Sequence, residues 1–178
     1  IDFANEATVA KWATNWKARA TGPDANQFTK SVDSATHPQR AGDQWRIIQS
    51  PAYIDGDLLV RQGQQIRLMP NSTNPKDNVV YVRGNVQNVG QLLNLGVTLV
   101  FEGKYSDGPG AEYKIDTQGS PFQTREMVLM RSNFISLNKS ANAITWTTSS
   151  STTSGLIYAA NGGIKVESSN AEITGMLL

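Results

Sequence analysis

The chain has 178 residues, enough for one domain with a sizeable core and too few for two independent ones. Asp, Glu, Lys and Arg make up 17% of it, against roughly 25% in an average soluble domain, and Ser, Thr, Asn, Gln and Gly fill the difference. A net charge of +1 without any basic run speaks against nucleic-acid or anionic-membrane binding, and the absence of cysteine rules out disulfides, thiol catalysis and thiolate metal sites.

No apolar run approaches the roughly 20 residues that span a bilayer. The chain opens on Ile1, which suggests a mature product or an excised piece. Its close, Thr174-Gly175-Met176-Leu177-Leu178, reads as entry to a further strand, so the natural chain is expected to continue.

Residues 2–20 read as one helix, with Val9, Trp12, Ala13 and Trp16 at helical spacing on a single stripe. Asp2 and Glu6 near its start and Lys17 and Arg19 near its end complement the helix dipole, and Thr21-Gly22-Pro23 stops it. Residues 21–50 are polar and irregular, a long connection with one short strand from Trp45 to Ile48.

From Ile54 the texture changes to short apolar runs separated by Gly, Asn, Ser and Pro. Five runs superpose: Leu58-Leu59-Val60, Val80-Tyr81-Val82, Leu99-Val100-Phe101, Val128-Leu129-Met130 and Leu156-Ile157-Tyr158. After each comes a short polar turn and usually a second strand, as in Arg83-Gly84-Asn85-Val86 and Glu102-Gly103-Lys104-Tyr105. Self-similarity at a period of about 20 residues or somewhat more marks a solenoid, in which neighbouring coils bury faces that no coil can bury alone. Gly and Asn at the corners are read as supplying left-handed backbone.

The fold expected is therefore all-β, a short right-handed parallel β-helix with an N-terminal capping helix. Residues 1–50 form the helix and connection, and 51–178 form the β-helix. Val9, Trp12 and Trp16 would pack on the first coil and cover its open end, which otherwise exposes core and strand edge. The alternatives are an antiparallel sandwich for the fold and a partner-binding role for the helix. Longer spacings place protruding loops at 105–121 and 138–153.

Residues that could carry chemistry are few. His37, the one histidine, sits before Pro38 in a polar loop and is expected to be exposed. Asp55-Gly56-Asp57 could form half of a calcium site, but lacks the supporting acids and reads as a turn. The segment 106–116 gathers Asp107, Glu112, Tyr113 and Asp116 beside Lys114, and is the best place for a ligand. Paired carboxylates there could act on a glycoside. Arg83, Glu102 and Arg131 follow three of the runs and are read as a charge ladder across coils. Ser149–Ser154 is expected as a solvated loop. Asn71-Ser72-Thr73 and Asn138-Lys139-Ser140 match the glycosylation pattern, and a regular Thr-x-Thr array is absent.

Gly155-Leu156-Ile157-Tyr158-Ala159-Ala160-Asn161-Gly162-Gly163-Ile164, followed by Ala171-Glu172-Ile173-Thr174-Gly175-Met176-Leu177, resembles the β-helical regions of Tad-type pilus-associated (TadG-like) bacterial envelope proteins. Ile54-Asp55-Gly56-Asp57-Leu58 and Val82-Arg83-Gly84-Asn85-Val86 fit the same style. The resemblance covers residues 54–178 at most, and that family's N-terminal membrane helix is not in this sequence. It implies a non-enzymatic structural or adhesion role outside the cytoplasm (periplasmic, cell-surface or secreted), with protein partners in an envelope or surface assembly, no cofactor and no catalytic residues. A carbohydrate-binding or carbohydrate-active β-helix with polysaccharide as partner is the alternative.

Overall fold

The computed structural model describes residues 6–38, 46–71, 74–118, 120–122, 124–147, 152–167 and 172–177. Asp2, Trp45, Ser72-Thr73, Ser149–Ser151 and Leu178 lie outside them.

After helix α1 (Glu6–Ala20), the chain winds into a parallel β-solenoid of about five turns. The first coil carries β1 (Asn26–Phe28), β2 (Val32–Asp33) and β3 (Arg46–Gln49). The second carries β4 (Ala52–Ile54), β5 (Leu58–Val60) and β6 (Gln65–Met69), and the third β7 (Val79–Val82), β8 (Val86–Asn88) and β9 (Gln91–Asn94). The fourth has β10 (Thr98–Phe101), β11 (Tyr105–Asp107) and β12 (Glu112–Ile115). Helix α2 (Arg125–Arg131) precedes β13 (Asn133–Ser136) and β14 (Ile144–Trp146); β15 (Thr152–Ala159), β16 (Ile164–Val166) and β17 (Glu172–Leu177) complete the stack.

Three parallel sheets form the walls. Sheet A runs β1-β4-β7-β10-β13-β15-β17, sheet B β2-β5-β8-β11-β14-β16, and sheet C β3-β6-β9-β12. Inward columns fill the core by stacking like on like. Ala52, Val80, Leu99, Phe134 and Ile157 form one column of sheet A, and Leu58, Val86, Tyr105 and Ile144 one of sheet B. Phe134 lies 4.9–5.0 Å, edge to face, from Phe101, Tyr105 and Tyr113, which locks neighbouring coils together.

The expected β-solenoid is thus present, but its register differs from the sequence reading. Leu58-Leu59-Val60 belongs to sheet B and stacks on Val86-Gln87-Asn88, while Ala52-Tyr53-Ile54 stacks on Val80–Val82. Val128-Leu129-Met130 is helical, because Thr124 caps α2 by accepting the Met127 N–H; the strand that stacks on Leu99–Phe101 is Phe134-Ile135-Ser136. The solenoid also begins before residue 51. Asn26–Phe28 pairs with Ala52–Ile54, so the segment expected as a connection supplies the first coil.

The corner glycines have a different cause from the one expected. Positive φ occurs only at Gly63, Gly96 and Gly110 among the described residues. At the corner between sheets A and B, Gly84 and Gly103 instead allow close stacking: the Gly84 N–H donates to Gly56 O at 2.8 Å and the Gly103 N–H to Gly84 O at 2.9 Å. A Cβ on Gly103 would stand 2.5 Å from Gly84 O, inside the contact limit. The residue after each glycine adds a side-chain ladder. Ser31 Oγ accepts the Asp57 N–H at 2.9 Å, Asp57 Oδ1 the Asn85 N–H at 2.7 Å, and Asn85 Oδ1 the Lys104 N–H at 2.9 Å. Asp55-Gly56-Asp57 is therefore a stacking corner.

Helix α1 does not sit over the end of the first coil. It lies along the outer face of sheet A, where Val9 and Ala20 join Val79, Tyr81, Val100, Ile135 and Tyr158 in a second apolar cluster with Trp12 and Trp16 against it. The outward column Tyr53-Tyr81-Val100-Ile135-Tyr158 is apolar, so this face needs a cover as much as the core does. The loop after β2 packs back on the first coil. His37, half-buried rather than exposed, sets its ring edge-on to Phe28 at 5.7 Å and lies 3.1 Å from Ile47 O.

Candidate functional site

The four residues singled out between 106 and 116 do not converge. Tyr113 is an inward residue of β12, buried against Phe134, and its hydroxyl accepts from Asn94 Nδ2 at 3.0 Å. Burial pushes its phenol, like that of Tyr105, well above the usual tyrosine range. Asp107 closes β11 on sheet B and accepts from the Thr147 N–H at 2.7 Å and the Thr147 hydroxyl at 2.8 Å. Glu112 opens β12 on sheet C, accepts from Gln91 Nε2 at 2.7 Å and pairs with Lys114 at 2.8 Å. Asp116, just past β12, pairs with Arg67 at 3.1 Å. Four extended residue steps separate Glu112 from Asp116, about 13 Å along the chain, wider than glycosidase carboxylate pairs.

The segments expected to protrude are largely coil. Residues 105–107 and 112–115 are wall strands, and the true insertion is 116–132, which carries Phe122 and α2. Within 138–153, β14 is a wall strand, and Thr152-Thr153-Ser154 belong to β15 rather than to a loop. The charge ladder does not form as expected either. Arg83 pairs with Asp55 at 2.6 Å, Glu102 accepts from the Tyr81 hydroxyl at 2.8 Å and meets Lys17 at 3.5 Å, and Arg131 lies on α2 with its guanidinium 4.3 Å from the Phe122 ring centre. The position equivalent to Glu102 in the next coil is Leu137.

The concavity that stands out lies between the two helices, a groove of about 460 Å³ on the outside of sheet A. Its floor is an outward column of three stacked coils, Val79, Thr98 and Asn133, where Asn133 Nδ2 donates to Thr98 Oγ1 at 3.1 Å. Helix α1 forms one wall with Trp12, Asn15, Trp16 and Arg19, and α2 the other with Met127, Met130 and Arg131. The turn Pro75–Asp77 adds Lys76, whose carbonyl accepts from Arg19 Nη1. Trp12 and Trp16, one helical turn apart, hold their rings 6.1 Å from each other at 51°. Phe122 backs Arg131, whose guanidinium lies over its ring.

Three cations and no carboxylate line this groove among the described residues. A groove of about 460 Å³ with one aromatic wall and a few polar groups falls within the range of small-ligand sites.

Comparison with protein-family models, with curated proteins and with solved structures gives no match.

The sequence places Trp12 and Trp16 on one helix face but gives no pointer to Lys76 or Asn133 and disguises the role of α2. The available signal was Thr124 followed by Glu126, an N-cap with an acid in the first turn, which argues for a helix where the apolar run Val128–Met130 argued for a strand. A second concavity of about 410 Å³ lies on sheet B between Asp57, Gln87, Lys104, Asn142 and Thr145, with no aromatic wall beyond the buried Tyr105.

Proposed function

We propose that this chain is a non-enzymatic structural and adhesion module of a bacterial cell envelope or surface appendage, as the pilus-associated resemblance implies. It would act outside the cytoplasm by presenting the faces of a rigid solenoid to protein partners. The observation that carries this reading is the use made of the carboxylates: Asp107, Glu112 and Asp116 each hold one coil to another. Side chains committed to coil-to-coil contacts serve rigidity, which suits a scaffold that must keep its surface in a fixed geometry.

The test is labelling of intact cells of the source organism with antibody to the full chain. Signal on unbroken cells, removed by mild protease shaving, is the expected result. Signal only after lysis would exclude a surface or appendage role.

The carbohydrate alternative is favoured by one observation of its own, the groove between α1 and α2, where indole rings and cations meet on a polar floor. Aromatic faces and convergent polar groups are what a saccharide site requires.

A further inference from the structure

We infer that the groove between α1 and α2 binds a segment of acidic polysaccharide, its sugar rings resting on Trp12 and Trp16 and their carboxylates meeting Arg19, Lys76 and Arg131. The inference rests on the reading of the chain as a surface module and names what such a surface would hold.

Three features of the groove select this ligand. Its lining carries three cations and no acid among the described residues, although the chain as a whole is close to neutral at +1, so the positive potential is local. Its aromatic wall is a tilted pair of indoles 6.1 Å apart, half-buried against sheet A and therefore held in place before any ligand arrives. Its floor is hydroxyl and amide, from Thr98 and Asn133, which can exchange hydrogen bonds with sugar hydroxyls. An apolar peptide would leave the cations and the polar floor unmatched. A bare anion would leave the indoles unused.

The two arginines of the groove are braced. Arg19 is tied to the Lys76 carbonyl, and Phe122 stacks under Arg131. Bracing of this kind lowers the ordering cost of meeting a carboxylate bidentately.

The experiment is a tryptophan-fluorescence titration of the full chain with tetragalacturonate, with maltotetraose as neutral counterpart and oligothymidylate as the competing polyanion. Saturable binding of tetragalacturonate is expected, weakened by added salt and at least about tenfold stronger than that of maltotetraose. Lys76→Gln with Arg131→Gln should weaken it about tenfold or more while far-ultraviolet dichroism keeps its β character. Should the double variant fail to fold, Lys76→Gln alone, at an exposed position on a turn, reads the same effect. No saturation by tetragalacturonate, equal binding of maltotetraose, or tighter binding of oligothymidylate would each overturn the inference. Surface labelling without tetragalacturonate binding sinks the groove assignment alone, and binding without surface labelling sinks the envelope placement alone.

Discussion

Arg67 and Asp116 meet at 3.1 Å across two turns of the solenoid, with 11% and 21% of their side chains exposed. Arg67 lies on β6 and stacks on Leu93 of β9, which stacks in turn on Lys114 of β12, so Asp116, two residues further on, reaches back to Arg67 on a diagonal. The pair spans one whole coil on the outer face of sheet C, and it turns an acid that looked like a ligand group into a brace. Replacing Asp116 by Ala should cost about 2 kcal/mol, the value of a hydrogen bond to a charged partner in a partly dry setting. Chemical denaturation of the variant checks this; unchanged stability would mean the brace is solvated away.

Helix α1 is held to sheet A by side-chain packing and by Lys17, whose ammonium lies 5.8 and 5.7 Å from the stacked rings of Tyr53 and Tyr81. Trp12→Ala together with Trp16→Ala should lower the melting temperature and expose the column from Tyr53 to Tyr158, promoting aggregation. A dye for exposed apolar surface should brighten on the variant while far-ultraviolet dichroism keeps its β character. Retained stability would mean that the helix is not needed to cover sheet A.

The stacked corner of Gly56, Gly84 and Gly103 leaves no room for a methyl group. Gly103→Ala should destabilise by about 1–3 kcal/mol, the usual range for overpacking, since the obstructing atom is the backbone oxygen of Gly84 and cannot swing aside. Gly63, with open space around it and a φ of 71°, makes a contrasting control: Gly63→Asn should be tolerated. Equal losses at both positions would refute the close-stacking account.

Asp33 and Arg61 pair at 2.6 Å between the first and second coils, and this contact, led by the Arg61 hydrogen bond, holds the Asp33 carboxyl below its ordinary value of 3.8. A carboxyl depressed in the folded state contributes stability above its unfolded pKa and loses it as pH falls through the lower folded value. Melting temperatures followed into acid should therefore fall less steeply for Asp33→Asn than for the parent, with the two curves converging at the acid end. Parallel curves would show that the pair contributes nothing to folding.

Substituting Asp107→Asn, Glu112→Gln and Asp116→Asn together should lower stability and leave tetragalacturonate binding intact, because none of the three lines the groove. Loss of binding with unchanged melting would return the ligand site to residues 107–116.

Much of the repeat was legible in the sequence, and its errors are instructive. Short apolar runs flanked by Gly and Asn announced stacked coils, yet Leu58-Leu59-Val60 and Val80-Tyr81-Val82 looked alike while belonging to different walls. Inward residues of any wall face the same core and are drawn from the same apolar set, so the letters do not say which wall they line. The candidate site was hardly legible. Its residues come from positions 12–19, 76–98 and 127–133, and only folding sets them side by side.

What the sequence determined by itself is local: a helix whose Val9, Trp12 and Trp16 fall on one stripe, and corners where Gly84 and Gly103 recur. These follow from backbone geometry and short-range periodicity, which a dozen residues suffice to express. The tertiary structure decided which coil lies on which, that α1 shields the flank of sheet A, and that α2 closes a cationic groove beside it. Those outcomes depend on apolar area buried between segments far apart in the chain, and that area exists only once the coils have stacked.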